Sequence, residues 1–220
     1  MLKLASFALL SAFATPTLAA QTPGAFGTCV PIAERAGQNV GCFIITEQKL
    51  GRIDSARAFW HVSRFDTQQA AEAANRAATI KGTALDAYKT HWLLTVTDSN
   101  WRPATGNQVA VIGPLPVKPG VEYAALYMEA SMTPGMKSKI HRHSGAEAWY
   151  TMAGETCLET PGGTQVGKVG RPVIVPGGLP MELTATGREL RKSLVLILHD
   201  ASQPPTSMEA TWKPKALCSR

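Results

Sequence analysis

The sequence has few charged residues and no cluster of them. Only 17% of its 220 residues are charged, and the formal net charge of +6 is spread without any run of Lys or Arg longer than two residues. Nucleic-acid-binding proteins usually carry a basic patch or stripe, so this composition argues against that class. We therefore expect no nucleic-acid partner.

Several sequence signatures of catalysis and metal binding are also missing. The chain contains no Gly-Lys-Ser/Thr phosphate loop, no Gly-x-Ser-x-Gly turn, no His-Glu-x-x-His helix and no Cys-x-x-Cys pair. These patterns accompany phosphoryl transfer, serine hydrolysis, zinc proteases and cysteine-based zinc sites, respectively. None of these four chemistries is predicted.

A stretch long enough to span a membrane is absent as well. Lys3 precedes a short apolar run, which ends in small residues at Ala19 and Ala20. This order is typical of a secretory signal peptide cleaved near Ala19 or Ala20. The run is too short for a transmembrane helix, and no later stretch is longer. We expect residues 1–20 to be a signal peptide, and the mature protein to be periplasmic or secreted without stable membrane insertion.

Cysteine is scarce, but its count is even. The four cysteines are Cys29, Cys42, Cys157 and Cys218, and an even number in an exported protein is compatible with two disulfides. Three pairings are possible. We favour Cys29 with Cys42 because they close a short loop, which leaves Cys157 to hold the C-terminal tail through Cys218.

The most informative residues that are present lie between positions 135 and 154. On a strand, the two-residue period of side-chain direction points His141 and His143 to one face, and a following strand brings Glu147 to the same cavity. Imidazole and carboxylate together suit Fe, Mn, Cu, Ni or Zn better than Ca or Mg. We expect one divalent transition metal, whose identity the sequence leaves open.

At these residues the sequence resembles the cupin superfamily. The first cupin motif is a Gly, five residues, His-x-His, three or four residues, Glu, six residues and a Gly. The matching positions are Gly135, His141, His143, Glu147 and Gly154, and every spacing agrees.

The second cupin motif matches in all but its last residue. It consists of a Gly, five residues, Pro-x-Gly, two residues and a His; Gly170, Pro176 and Gly178 agree, but Met181 stands where the motif has the His. Three interpretations of Met181 remain open. The site has three ligands and open positions, as in non-haem iron centres; or the thioether binds and favours Cu(I); or Met181 only fills space beside a weakened site.

The resemblance implies a mainly β fold with one jelly-roll barrel. We assign residues 105–200 to this barrel and residues 201–220 to a C-terminal tail. Residues 21–104 are predicted to form a small α+β unit, with strands at Val40–Glu47, Ala58–Phe65 and Trp92–Val96. A helix is predicted from Thr67 to Ala78, because Asp66 or Thr67 can cap its start and alanine is frequent in it.

Further side chains are candidates for the site. The alternation that points Glu147 inward also points Trp149 inward, where it would form a wall of a substrate pocket or only fill the barrel. His61, His91 and His199 are candidates to replace the imidazole lost at position 181, although hydrogen-bonded histidines with no such role are commoner.

Two classes of function fit this site. One is an exported metal-dependent oxygenase or oxidoreductase acting on a small organic molecule. The other is a non-catalytic module that binds a metal or small molecule in the periplasm. No catalytic residue beyond the ligands is assigned, and a homodimer is expected because many cupins pair through barrel edges. The fold alone does not decide between these classes.

Overall fold

The structure is a computed structural model that describes residues 25–26, 29–209 and 211–218. The predicted signal peptide, residues 1–20, lies outside the described residues. The described part consists mainly of β-strands, with one α-helix and one short 3-10 helix. The prediction of a mainly β protein is confirmed.

The strands and helices follow one another in this order along the chain. The first half contains β1 (Ala25–Phe26), β2 (Val30–Pro31), the 3-10 helix (Ile32–Glu34), β3 (Gly41–Ile53), β4 (Arg57–Phe65), α1 (Gln68–Ala77), β5 (Thr83–Ala87), β6 (Thr90–Thr97) and β7 (Asn107–Pro116). The second half contains β8 (Val121–Met132), β9 (Lys137–Ser138), β10 (His141–His143), β11 (Ala146–Ala153), β12 (Glu155–Thr160), β13 (Gly163–Lys168), β14 (Val173–Val175), β15 (Glu182–Thr186), β16 (Arg191–Asp200) and β17 (Thr206–Met208).

Two sheets face each other and form the jelly-roll barrel. The six-stranded sheet has the order β14-β11-β16-β8-β3-β2, and the five-stranded sheet has the order β1-β9-β15-β12-β13. Met128 and Val195 from the first sheet share one buried cluster with Leu158 and Leu183 from the second. The barrel interior is therefore apolar, as expected for two sheets that pack through their inner faces.

A third sheet covers the outer face of the six-stranded sheet. It has the order β5-β6-β4-β7, and its Trp60 and Leu94 belong to one buried cluster with Tyr127 and Leu196 of the barrel. The six-stranded sheet is thus buried on both faces. This explains why β8 is buried without interruption from its third residue onward, instead of alternating between buried and exposed positions.

Strands from the two sides of the predicted boundary at residue 104 pair with each other. Most of the predicted strand Val40–Glu47 lies in β3, which pairs with β8 from Gly41 opposite Ser131 to Ile53 opposite Val121. In the other direction, β7 pairs with β4 in the covering sheet. The first strand assigned to the α+β unit is therefore part of the barrel sheet. Whether residues 21–104 form a unit of their own stays a prediction.

The helix and the disulfides agree with the sequence analysis. Helix α1 begins after Thr67, whose side-chain oxygen accepts a hydrogen bond of 3.1 Å from the backbone N–H of Ala70. The disulfides join Cys29 to Cys42 and Cys157 to Cys218, as predicted. None of the described helices is long and apolar enough to cross a membrane.

Candidate metal centre

The three predicted ligands lie together inside the barrel. His141 and His143 are the ends of the short strand β10, and Glu147 is the second residue of β11. One ligand atom from each residue lies within 4.8 Å of the other two. His143 and Glu147 are only 4% and 5% exposed. A single ion is therefore within reach of all three side chains.

The ring orientation of both histidines is fixed by backbone carbonyls. Nδ1 of His141 lies 2.8 Å from the carbonyl oxygen of Lys139, and Nδ1 of His143 lies 2.9 Å from that of Pro205. Because a carbonyl oxygen only accepts, each Nδ1 carries the proton and donates it, which leaves the Nε2 lone pair free. Metal-binding histidines in proteins are commonly held in this way.

The free atoms of the site also fit a metal ion. Nε2 of His143 and Oε2 of Glu147 are buried 3.5 Å apart, and neither has a hydrogen-bond partner within the described part of the chain. Buried polar atoms without a partner are costly and rare. A cation bound between them would satisfy both, so the residues present fit the metal that the sequence predicts.

Burial and mutual attraction determine the charges of the three side chains. Burial raises the pKa of Glu147, but the neighbouring His143 and His141 outweigh it, and the net pKa is lowered. Burial lowers the pKa of His143, yet the Glu147 carboxylate reverses this and raises it. For His141 burial dominates and its pKa is lowered. The site therefore holds an ionised carboxylate and a neutral imidazole at His141, the protonation states that bind metals, whereas the carboxylate favours a protonated ring at His143, whose Nε2 proton a metal ion must displace.

Two glycine turns bring the ligand strands together. A Cβ atom on Gly145, between the second histidine and Glu147, would lie 1.9 Å from the carbonyl oxygen of Leu198. A Cβ atom on Gly177 would lie 2.7 Å from the Cα of Gly145, and the N–H of Gly178 donates a 2.8 Å hydrogen bond to the carbonyl of His143. The second motif thus supports the first, and only glycine fits where the backbones touch.

The C-terminal tail forms part of the site. Strand β17 pairs antiparallel with β10, with His143 opposite Thr206, and Pro205 supplies the carbonyl described above. Arg142 points away from the ligands and forms an ion pair with Glu209, as strand alternation predicts. The role of Pro205 could not be predicted, because a backbone carbonyl has no signature in the sequence.

The backbone of Met181 is hydrogen-bonded to the backbone of His141, the first ligand. Its N–H donates to the carbonyl of His141 over 2.9 Å, and the N–H of His141 donates back over 3.2 Å. The side chain is buried in the barrel core, with an exposure of 1%. The fourth position of the second motif is therefore next to the site, and whether its sulfur binds a metal stays a prediction.

A cavity of about 400 Å³ adjoins the three ligands. Most of its wall is apolar and includes Met128, Val195 and Ile197. Trp149 also lines it and is fully buried; its contact with a substrate stays a prediction. This size and lining are typical of a small-molecule pocket.

One charged residue of the cavity was not found from the sequence. Arg191, the first residue of β16, lines the cavity although it is only 1% exposed. Its Cζ atom lies 5.3 Å from the centre of the Trp149 ring. Burial lowers the pKa of Arg191 to about 10, so the guanidinium stays charged at neutral pH.

The remaining histidines do not line this cavity. His61 is buried in the covering sheet, where Nε2 donates to the carbonyl of Asp98 over 2.8 Å. His91 pairs with Asp86 over 2.6 Å, and His199 has its Nε2 atom 3.2 Å from Oε2 of Glu47. Each has a hydrogen-bonded role, so none replaces the imidazole lost at position 181.

Among known proteins, the chain is similar to solved structures but matches no family model and no curated sequence. An oxalate oxidase matches over 38% of this chain and 45% of its own, with 18% identity and a TM-score of 0.33. A cupin-like protein from Thermotoga maritima matches over 39% of this chain and 65% of its own, with 16% identity and a TM-score of 0.36. A variant of oxalate decarboxylase from B. subtilis matches over 40% of this chain and 24% of its own, with 23% identity and a TM-score of 0.33. The match therefore spans less than two thirds of each of these proteins.

Proposed function

The chain has the cupin fold with both cupin motifs, the second lacking its histidine, and from this premise we propose that it is an exported metal-dependent enzyme. The proposed reaction class is that of a mononuclear oxygenase or a related oxidoreductase. Its substrate is a small organic molecule bound in the barrel cavity. Because one fold carries many chemistries, this proposal depends on the site and not on the fold.

One observation carries the proposal. His141, His143 and Glu147 direct free ligand atoms to one point at the edge of a largely apolar cavity. Two imidazoles and one carboxylate leave coordination positions open, which is the ligand set of non-haem iron oxygenases. A transition metal held there would supply a Lewis acid and a redox centre beside the bound molecule.

The protein would contribute orientation and the exclusion of water. The carbonyls of Lys139 and Pro205 keep both imidazoles in the tautomer that offers Nε2. The apolar wall, which includes Trp149, keeps bulk water away from the ligand atoms and lowers the local dielectric constant. The substrate is thereby positioned between the wall and the open side of the ligand set.

Two disulfides support export. The pairs Cys29–Cys42 and Cys157–Cys218 indicate a non-reducing compartment. Together with the signal peptide predicted at residues 1–20, they lead us to propose a periplasmic or secreted protein. A homodimer is part of the same proposal, as is a small-molecule ligand.

Elemental analysis tests the metal site. The mature protein would be purified from its native compartment, together with His141→Ala and, as a matched control, His91→Ala. His91 is a partly exposed histidine outside the site, paired with Asp86. We expect one equivalent of a transition metal in the wild type and in the control, and none in His141→Ala. Wild-type protein without metal, or metal retained by His141→Ala, would contradict the proposal; iron would favour the oxygenase class.

A copper-binding protein without catalytic activity is the second candidate. It is favoured by the thioethers of Met128, Met132 and Met208, which line the cavity together with the histidines, because thioether sulfur is a soft ligand that suits Cu(I). Comparing Met181→His with Met181→Leu tests whether the sulfur of Met181 takes part in such a site. If the sulfur of Met181 binds copper, both variants lose Cu(I) affinity. If the site is a cupin site lacking its fourth ligand, only Met181→His gains affinity for Fe, Mn or Zn.

A further inference from the structure

The cavity contains a buried positive charge whose hydrogen-bonding capacity is largely unused. Nη1 of Arg191 lies 3.5 Å from the carbonyl oxygen of Ala130 and 4.0 Å from the sulfur of Met132. Nε and Nη2 are buried and have no hydrogen-bond partner among the described residues. No carboxylate of the described chain lies within ion-pair distance of this guanidinium, and Glu147 attracts it only from farther away. Such an arrangement is costly for the folded protein, since buried charges are otherwise paired.

The positions of the two unused nitrogens indicate which kind of ligand they can bind. Nε and Nη2 lie on the same edge of the planar guanidinium, and their N–H groups point outward in parallel. This edge matches the two oxygens of a carboxylate, which it binds through two hydrogen bonds. Nη1, on the other side, is the nitrogen that contacts Ala130 and Met132. The edge of Arg191 that remains free is therefore the one suited to a carboxylate.

Arg191 and His141 lie at different depths of the same cavity, and the buried His143 and Glu147 lie between them along its wall. His141 is partly exposed, and the cavity-lining Met208 next to it is 52% exposed, so this is the mouth. Trp149 and Arg191 are 0% and 1% exposed and form the floor. Trp149 follows Glu147 by two residues on the same strand face, about 6–7 Å along the strand. A molecule in the cavity would thus contact Arg191 at one end and face the ligand set at the other.

We propose that Arg191 binds the carboxylate of an organic acid with an apolar body, whose other end faces His141, His143 and Glu147. This inference rests on the proposed function, since it takes the cavity beside the ligand set as the substrate site. The apolar wall contacts the body of the acid, and the guanidinium edge selects its charged end. Arg191 is a substrate-binding residue that orients the molecule before any reaction occurs.

Calorimetric titration with a charged and a neutral probe of the same shape tests the assignment. Benzoate and benzamide would be titrated into the protein as isolated and again after chelation of its metal. Wild-type protein should bind benzoate about 10- to 100-fold more tightly than benzamide, because hydrogen bonds to a charged group exceed those to a neutral one. In Arg191→Met the two affinities should become equal, and in Arg191→Lys the preference should be intermediate. Arg188→Met removes one exposed positive charge from the same end of the barrel and should keep the wild-type preference.

Three outcomes would overturn the assignment: no benzoate binding to the wild type, an unchanged preference in Arg191→Met, or inorganic phosphate that displaces benzoate at equal concentration. Thermal unfolding provides a second measurement. If Arg191 is there to bind a ligand, Arg191→Met should be at least as stable as the wild type, since it removes a buried unpaired charge. Because the variant also loses the contacts of the guanidinium with Ala130 and Trp149, a lower Tm together with an unchanged benzoate preference would indicate a merely structural guanidinium.

The metal content of each preparation separates this inference from the proposed function. Arg191→Met should keep its metal, because Arg191 donates no electron pair. A chelated protein that still prefers benzoate through Arg191 would support the carboxylate site even if no metal were found. Metal binding without a benzoate preference would support the metal site and reject the role of Arg191.

Discussion

Replacing Glu147 by Gln separates metal binding from folding. Glu147 is 5% exposed, and its carboxylate lies 3.5 Å from Nε2 of His143. Gln keeps the shape but removes the charge and the anionic ligand atom. In metal-free protein the lost attraction to His143 is partly offset by the lower cost of burying a neutral group, so the free energy of unfolding should fall by less than the roughly 3–5 kcal/mol that removing one partner of a buried charge pair costs.

The effect should appear when metal is added. A ligand that binds only the folded state stabilises it by about 2.7 kcal/mol at 100 times its dissociation constant. For a chain of this length, each kcal/mol raises Tm by about 2–4 °C, so saturating zinc should raise the wild-type Tm by about 5–11 °C. If Glu147→Gln weakens binding about 100-fold, the same zinc concentration stabilises by only about 0.4 kcal/mol, or about 1 °C.

Scanning calorimetry with and without zinc measures both numbers. Glu72→Gln is the matched control, because Glu72 is an exposed carboxylate on α1 that lies 3.7 Å from Arg76 and far along the chain from the site. The control should show the full zinc-induced shift. An equal shift in Glu147→Gln would refute the assignment of this carboxylate as a ligand. Loss of the shift in both variants would mean that zinc acts elsewhere.

Three further perturbations have defined outcomes. Gly145→Ala places a Cβ atom 1.9 Å from a carbonyl oxygen of the adjacent strand. It should lower the free energy of unfolding in urea by about 1–3 kcal/mol and weaken zinc binding. In the control Gly162→Ala the nearest atom lies 3.7 Å from the new Cβ, so neither quantity should change. The double variant Cys157→Ala/Cys218→Ala opens a loop of 61 residues and should lose about 4 kcal/mol of stability in non-reducing buffer, whereas dithiothreitol, which also reduces Cys29–Cys42, should destabilise the wild type by more than this. Burial lowers the pKa of His61 below its usual value of 6.5, so the unfolded chain takes up a proton more readily and stability should fall as the pH drops below about 6.5. His61→Gln should flatten that part of the curve, and an unchanged pH dependence would exclude His61 as its origin.

The metal ligands could be predicted because local rules determine their placement. His141 and His143 are two residues apart on a strand, and glycines flank the motif at fixed distances, so alternation alone brings the imidazoles to one face. The N-cap at Thr67 and the short loop between Cys29 and Cys42 are local features in the same sense. Each depends on residues close together in the chain.

What the sequence did not reveal depends on contacts between distant residues. Arginine is among the residues that are almost never fully buried unless paired, so hydropathy assigns Arg191 to the surface. It is buried because Trp149 and Met132, 42 and 59 residues away, close over it. The pairing of β3 with β8 was not foreseen for the same reason, since it joins residues far apart in the chain and leaves no local pattern.

Two charged residues border the cavity, where apolar side chains would stabilise the fold more. An apolar barrel is most stable when side chains such as Met128 and Ile197 fill it, and each buried charge lowers that stability unless it is paired. Glu147 and Arg191 each keep a polar group without a hydrogen-bond partner in the described part of the chain, and both border the same space. A cation at Glu147 and an anion at Arg191 would satisfy both. Two residues whose burial is costly for folding are therefore those from which a bound metal and a bound acid gain most.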